Sequence, residues 1–226
     1  MEKPILFNTE MVKAILEGRK TQTRRLIRPQ PEGQLSYIFG GSHPGKWTYM
    51  SRSVAKAWDV DESVIHEEEG KFWTPPCHGD DVLYVRETWC RLFYVDPDGY
   101  THYDQEMYYY AADGIPDICL CDGDGRVEED QRIRWKPSIH MPRNAARIFL
   151  KVKQVRVERL KDITEEDAAA EGCQAHSIFE TARDYFAALW NTTQGVAGKN
   201  VPENWAQNPW VWVIDFERVE GKQNDE

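Results

Sequence analysis

At 226 residues and 26.4 kDa the chain fits one large domain, or one small domain carrying insertions, and leaves little room for two full ones. Hydrophobic residues at 41%, nine Trp and a mean hydropathy of -0.68 exclude a disordered chain and allow a packed core, while no apolar run approaches the roughly 18 residues of a membrane-spanning helix. Against 38 Asp and Glu stand 28 Lys and Arg, a formal charge of -10. That balance excludes a protein that coats nucleic acid through its bulk charge, so a polyanion partner must meet a local patch.

The N-terminal stretch MEKPILFNTEMVKAILEG has no basic segment followed by an apolar core and a small-residue cleavage site. A cytoplasmic location is the expectation. With five Cys, an odd count, reduced thiols are expected rather than a disulfide framework. Asn8 or Thr9 caps a first helix from about Glu10 to Glu17, stopped by Gly18. Residues 29–78 are rich in Gly, Pro, Ser and Trp without clean periodicity and read as an insertion with at most short elements. Gly79-Asp80-Asp81 is a turn that launches a strand over Val82 to Trp89, with Val82, Tyr84 and Arg86 on one face and Leu83, Val85 and Glu87 on the other.

Residues 91–134 combine Tyr108-Tyr109-Tyr110 with the turn-dense CLCDGDG and read as a second insertion around one hairpin. Ala145 to Leu160 alternates apolar and basic residues and is the clearest strand. Thr164 opens a capping box in which Asp167 takes the place of the usual Glu, and Gly172 closes that helix. Ser177 and Glu180 form a second box, predicting a helix to about Asn191 whose Phe179, Ala182, Phe186, Leu189 and Trp190 share a face. Trp210 to Phe216 is a final strand. The order contains no repeated βαβ unit and no nucleotide-binding glycine loop, which predicts an α+β fold: a small, mostly antiparallel β-barrel with packed helices.

Charge is segregated along the chain. From Arg91 to Asp130 there are two basic and eleven acidic residues, whereas Arg132 to Leu160 holds nine basic residues and only Glu158 opposite. Arg19, Lys20, Arg24, Arg25 and Arg28 form a second basic cluster without an acidic neighbour. Together these predict one electropositive face beside a negative appendage.

Five ordered segments, ILEGRKTQTRR, GDDVLYVRETW, WKPSIHMPRNAARIFL, ERLKDITEEDAAAEG and NPWVWVIDFERV, resemble the ASCH domain, a PUA-like barrel family, in the elaborated form often encoded by phages and prophages. The match covers residues 3–28, 79–90 and 135–218 of a single domain; the insertions 29–78 and 91–134 and the tail 219–226 lie outside its common core. The resemblance implies binding of RNA, DNA or modified nucleosides. Small members look like amidohydrolases that remove the acyl group from N4-acylated cytidine, and ribonuclease activity has been attributed to others. Their catalytic groups correspond here to Lys20 and Thr23 in the G-R-K-T-x-T stretch and to Glu171 after the T-E box. Asn144 stands where the resemblance has Trp.

On its own chemistry the trio is reasonable. A Thr hydroxyl needs a base, a Lys serves only when neutral, and the like charges of Arg19, Arg24 and Arg25 disfavour its ammonium form. Glu171 would orient the Lys or shuttle a proton to the leaving amine. In a regular strand Lys20 and Thr23 point to opposite faces, so the segment must bend for them to converge. The other reading makes Lys20 and its Arg neighbours a solvated phosphate-binding patch and Thr23 an ordinary strand residue. Arg86, His140 and Arg143 join Arg19, Arg24 and Arg25 as candidate contacts to substrate or nucleic acid. The expected ligand is a nucleoside, a nucleotide or a short single strand, bound with no cofactor and no membrane. The acidic insertion would exclude long polyanions.

Other features carry weaker signals. Cys77-His78 with Cys119 and Cys121 has Cys and His suited to zinc but the wrong spacing for a common knuckle, and buried reduced thiols are the better reading. Cys173 would be a nucleophile only with a His beside it. Asp122, Asp124 and Glu128 lack the closing ligand of a calcium loop. The aromatics Trp47, Trp58, Trp73, Trp89, Tyr108, Tyr109 and Tyr110 read mainly as core, with a base-stacking platform as the alternative.

Overall fold

A computed structural model describes residues 1–38, 45–49, 71–96, 98, 100–114, 120–121, 134–193 and 204–220. The fold is mixed α+β, dominated by strands with few helices. Among the described residues no sheet closes into a barrel, and no helix is long and apolar enough to cross a membrane. The chain forms two compact units, the first comprising Met1–Gly18, Val82–Leu150 and Arg218–Glu226, the second Arg19–Asp81 and Lys151–Glu217.

In the first unit, β1 (Glu2–Leu6) pairs in parallel with β5 (Val82–Arg86). This strand was not anticipated, because EKPIL is too short and mixed to signal one without its partner. Between them in sequence lies helix α1 (Thr9–Leu16), where the Asn8 side chain accepts a hydrogen bond from Met11 N at 2.8 Å and Gly18 adopts φ +75°, the left-handed stop expected of a glycine. Of the two faces of β5, the one carrying Leu83 and Val85 is sealed from solvent, as is Glu87 just beyond the strand. The hairpin expected around residues 91–134 is present, β6 (Trp89–Val95) with β7 (Thr101–Tyr110), flanked by the short β8 (Leu120–Cys121). Trp89, Met141 and Ala145 make a local core there.

The second unit holds the strands that matter for the site. β2 (Gln22–Leu26) pairs antiparallel with β10 (Trp210–Val219), so that Thr23 opposes Ile214 and Arg24 opposes Val213; the next strand across is β9 (Phe149–Arg159). β10 is buried on both faces. Trp210 and Trp212 enter one cluster with Ile27, Leu35, Tyr49 and Trp73, and Val211 and Val213 enter another with Leu160, Ile163, Ala168 and Phe186, as the two-residue strand period requires. Residues 29–78 contribute the strand pair β3 (Leu35–Tyr37) and β4 (Trp47–Tyr49), tied to Trp73 by a reciprocal pair of backbone bonds at 2.8 Å.

Helix α2 (Glu165–Ala170) starts at Thr164, whose hydroxyl accepts from Asp167 N at 3.1 Å. Helix α3 (Ala182–Thr193) begins later than predicted. Thr181 rather than Ser177 supplies the hydroxyl, accepting from Asp184 N at 3.0 Å, and the Glu165 carboxylate accepts from Ala182 N at 2.6 Å. The residues before it are held otherwise, His176 and Phe179 exchanging backbone bonds at 2.9 Å. Ala182, Phe186 and Trp190 share the buried face as expected.

Candidate functional site

Four polar or charged residues within a stretch of five, Lys20, Gln22, Thr23 and Arg24, are buried in the second unit, while Thr21 among them is exposed. Burying charge is costly unless it is paired, so their partners must lie close. Helix α2 delivers them. Thr21 N donates to Ala170 O at 2.8 Å, Lys20 bridges Glu171, and Gly172, at φ +91°, turns the chain so that its carbonyl accepts from Arg19 Nη1 at 2.9 Å. The α2 terminus is thus clamped to the segment entering β2.

Lys20 Nζ donates to Glu171 Oε2 at 2.5 Å, to the Glu171 carbonyl at 2.8 Å and to the Gln22 carbonyl at 2.9 Å. Three acceptors match the three protons of an ammonium. Both side chains are sealed, at 0% and 4% exposure. Burial pulls the Lys20 pKa below the ordinary lysine value and nearby Arg25 acts in the same direction, while Glu171 opposes both. Desolvation therefore does most of what the sequence assigned to neighbouring arginines.

Lys20 stands just before β2, not within it, which is how its ammonium folds back to the Gln22 carbonyl. Thr23 occupies the following register and is buried, but the bonds holding Lys20 pass through Gln22 and Glu171. Glu171 also faces Arg24, Oε1 to Nη1 at 3.5 Å. From Arg24 the network widens: Nη2 donates to Asp167 at 2.9 Å and to Glu158 at 3.2 Å, and Nη1 to Gln22 Oε1 at 2.5 Å. Among the described residues, Arg24 Nε is buried and meets no hydrogen-bond partner.

Arg156 closes the outer side. It donates to Glu158 at 2.5 Å, to Asp215, and to Asp167 at 3.4 Å, and Gln22 Nε2 reaches Asp215 at 2.7 Å and Asp167 at 3.1 Å. These outer groups are about a quarter exposed, whereas Lys20 and Arg24 are fully covered. The result is a charged column running from a sealed Lys20–Glu171 end to a wetted Arg156–Asp215 end. Asp167 does not complete the capping box with its carboxylate; although burial raises its pKa, the bonds from Gln22 and Arg24 and the charge of Arg156 hold it below the usual Asp value.

The predicted cationic surface is correspondingly muted. On β9, Lys151 pairs with Asp80 at 3.3 Å and Lys153 with Glu217 at 2.8 Å, besides the three carboxylates around Arg156. Arg25 is half-buried beside Glu171.

The first unit holds the remaining predicted contacts. Arg86 donates to the Ile139 carbonyl, His140 is exposed at the end of a 3₁₀ turn over Ser138–His140, and Arg143 grips Glu2 Oε2 at 2.8 and 2.9 Å while lying over Tyr84 and Phe149. Asn144 Nδ2 donates to Tyr108 OH at 3.3 Å.

Cys173, adjoining the site, is buried, and desolvation with the Glu171 charge pushes its thiol up to about 12. His176 instead packs against Phe179 and Tyr185, so no nucleophilic Cys–His pair forms. Cys77 is buried and outside any disulfide; Cys119, the Cys121 side chain, Trp58, Asp122, Asp124 and Glu128 lie outside the described residues.

Gln22, Arg156, Glu158, Asp167 and Asp215 were not singled out as site residues. Two signals point to them in retrospect: Asp215 is a lone acid inside the apolar run WVWVIDF, and Arg156 and Glu158 sit two apart, hence on one face of β9. Comparison with family models, with curated proteins and with solved structures returned no match.

Proposed function

We propose that the protein binds a nucleoside-sized ligand and hydrolyses an acyl amide on it, of the N4-acylated cytidine type that the ASCH resemblance implies. The observation that carries this reading is the meeting of Lys20 with Glu171, 151 positions apart, joining the two motif segments that such a site requires. In the sealed environment the proton shared over 2.5 Å can pass from Lys20 to Glu171, leaving a neutral pair and an amine lone pair. Lys20 then takes the Thr23 hydroxyl proton as Thr23 Oγ1 attacks the amide carbonyl. The C–N bond breaks as Lys20 returns that proton to the leaving amine, and water hydrolyses the threonyl ester, releasing the acid and restoring Thr23.

The full satisfaction of the Lys20 ammonium and the burial of Thr23 favour a second reading, a non-catalytic clamp inside a ligand-binding protein. Incubation with N4-acetylcytidine, with cytidine and acetate followed by chromatography, separates the two. Hydrolysis lost in Thr23→Val and retained in Thr23→Ser supports the enzyme; a folded wild-type protein releasing no cytidine overturns it.

A further inference from the structure

A pocket of about 310 Å³ opens in the second unit between the β3–β4 pair and β9, apart from Lys20 and Thr23. Its lining combines Tyr37, Trp47 and Pro75 with the polar edges of His78, Gln154 and Arg156. This volume lies within the range of small-ligand sites, and aromatic walls with a few converging polar groups are their usual make-up. We infer that this pocket is a binding site for a planar, uncharged nitrogen heterocycle of purine or pyrimidine size, seated against the joined Tyr37–Trp47 wall and read along one edge by Gln154.

The walls are fixed before any ligand arrives. Tyr37 and Trp47 are cross-strand partners with ring centroids 5.5 Å apart in an edge-to-face arrangement, and Trp47 is backed by Trp212 at 5.8 Å. The Trp47 backbone is pinned on its other side by Trp73. Gly45 adopts φ +78°, which admits glycine best, and lies in van der Waals reach of the His78 ring. A wall whose rotamers are already set loses little entropy on binding.

Charge selects against anions. Among the described residues of the lining, Arg156 is the only formally charged side chain, and its guanidinium is already committed to Glu158, Asp167 and Asp215. Among the described residues, the network it belongs to sets two guanidiniums, its own and that of Arg24, against those three carboxylates, so a phosphate on the ligand meets a negative surplus. Gln154 is exposed on β9 and offers both a donor and an acceptor, the pattern that pairs with an amide-like heterocycle edge.

The pocket does not depend on the hydrolysis proposal. Calorimetric titration of the full chain with adenosine, AMP, cytidine and CMP tests it. Saturable binding of the nucleosides, at least threefold tighter than of their monophosphates at low salt, is expected, with Tyr37→Ala weakening it about tenfold and Gln154→Ala severalfold. Gln154→Ala changes an exposed side chain, so its fold, checked by circular dichroism, is retained. Binding of none of the four probes, monophosphates bound as tightly as nucleosides, or unchanged affinity in both variants overturns the inference. Nucleoside binding in a protein that releases no cytidine from N4-acetylcytidine leaves the pocket standing and removes only the hydrolysis reading.

Discussion

Lys20 and Glu171 satisfy one another twice, the ammonium donating to the carboxylate at 2.5 Å and to the same residue's backbone carbonyl at 2.8 Å. A side chain bonded to both ends of its partner fixes the partner's backbone as well as its charge. The end of α2 is therefore tied to the entrance of β2 by a contact that neither segment makes alone.

Removing one member strands the other in a desolvated setting. Lys20→Met is expected to destabilise by about 3–5 kcal/mol, because Glu171 then loses its 2.5 Å ion pair and keeps the longer Arg24 contact at 3.5 Å and the nearby charge of Arg25. The double variant Lys20→Met with Glu171→Leu should recover much of that loss, since paired apolar groups of similar volume avoid the desolvation cost. Urea unfolding of the two single variants and the double variant measures the coupling, and additive losses would contradict it.

Asp167 sets an acid limit. Its folded pKa lies below its unfolded value, so the stability it contributes is present above the unfolded carboxylate pKa of about 3.9 and is lost as pH falls through the folded one. Asp167→Asn is expected to lower stability at pH 7 and to flatten its decline below about pH 4. Chemical unfolding from pH 7 to pH 2.5 reads both; a variant with the wild-type slope below pH 4 would contradict the assignment.

Local signals in the sequence are faithful where one residue decides the structure. Asn8, Gly18, Thr164 and Gly172 cap or stop helices where they stand, and the alternation of β5 and β9 is visible because each needs only its own periodicity. Ser177 misled because Ser177 and Glu180 repeat the box spacing, whereas the actual start at Thr181 depends on Glu165, a residue from another helix. Charge misled in a similar way. Arg156 and Lys153 look unopposed along the chain, but Asp215 and Glu217 reach them from β10. Pairing across strands is set by topology, which local composition does not encode. Glu171 could be named beside Lys20 only through the resemblance of their segments, since nothing in either stretch alone points to the other.

That pairing bears on nucleic acid. Nine free cations between Arg132 and Leu160 would give a steep salt dependence, with log affinity falling at about −6 per decade of salt on a single strand. Lys151, Lys153 and Arg156, like Arg143 and Arg147, are each matched by carboxylates, which leaves at most four of the nine for phosphate, so the expected slope for a short RNA is no steeper than about −2.8. Fluorescence anisotropy at several salt concentrations measures it. Arg24→Ala is not the variant to use here, because Arg24 is covered and its loss would strand Asp167 and Glu171.

Cys173 reports on whether the Lys20 compartment opens. Its thiol is buried beside Glu171 and pushed up to about 12, against about 8.5 for a free cysteine. At pH 8 the folded protein thus holds roughly three orders of magnitude less thiolate at this position than the unfolded chain, and alkylation needs the thiolate. Iodoacetamide labelling, followed by peptide mass spectrometry, is expected to modify Cys173 only at the rate at which the second unit opens, accelerating in step with unfolding as denaturant is added. Labelling as fast as in the denatured chain would mean that the compartment exchanges freely with solvent. Protection that falls on addition of N4-acetylcytidine, with urea stability unchanged, would instead mark ligand-driven opening, the motion that a substrate needs in order to reach the buried Thr23.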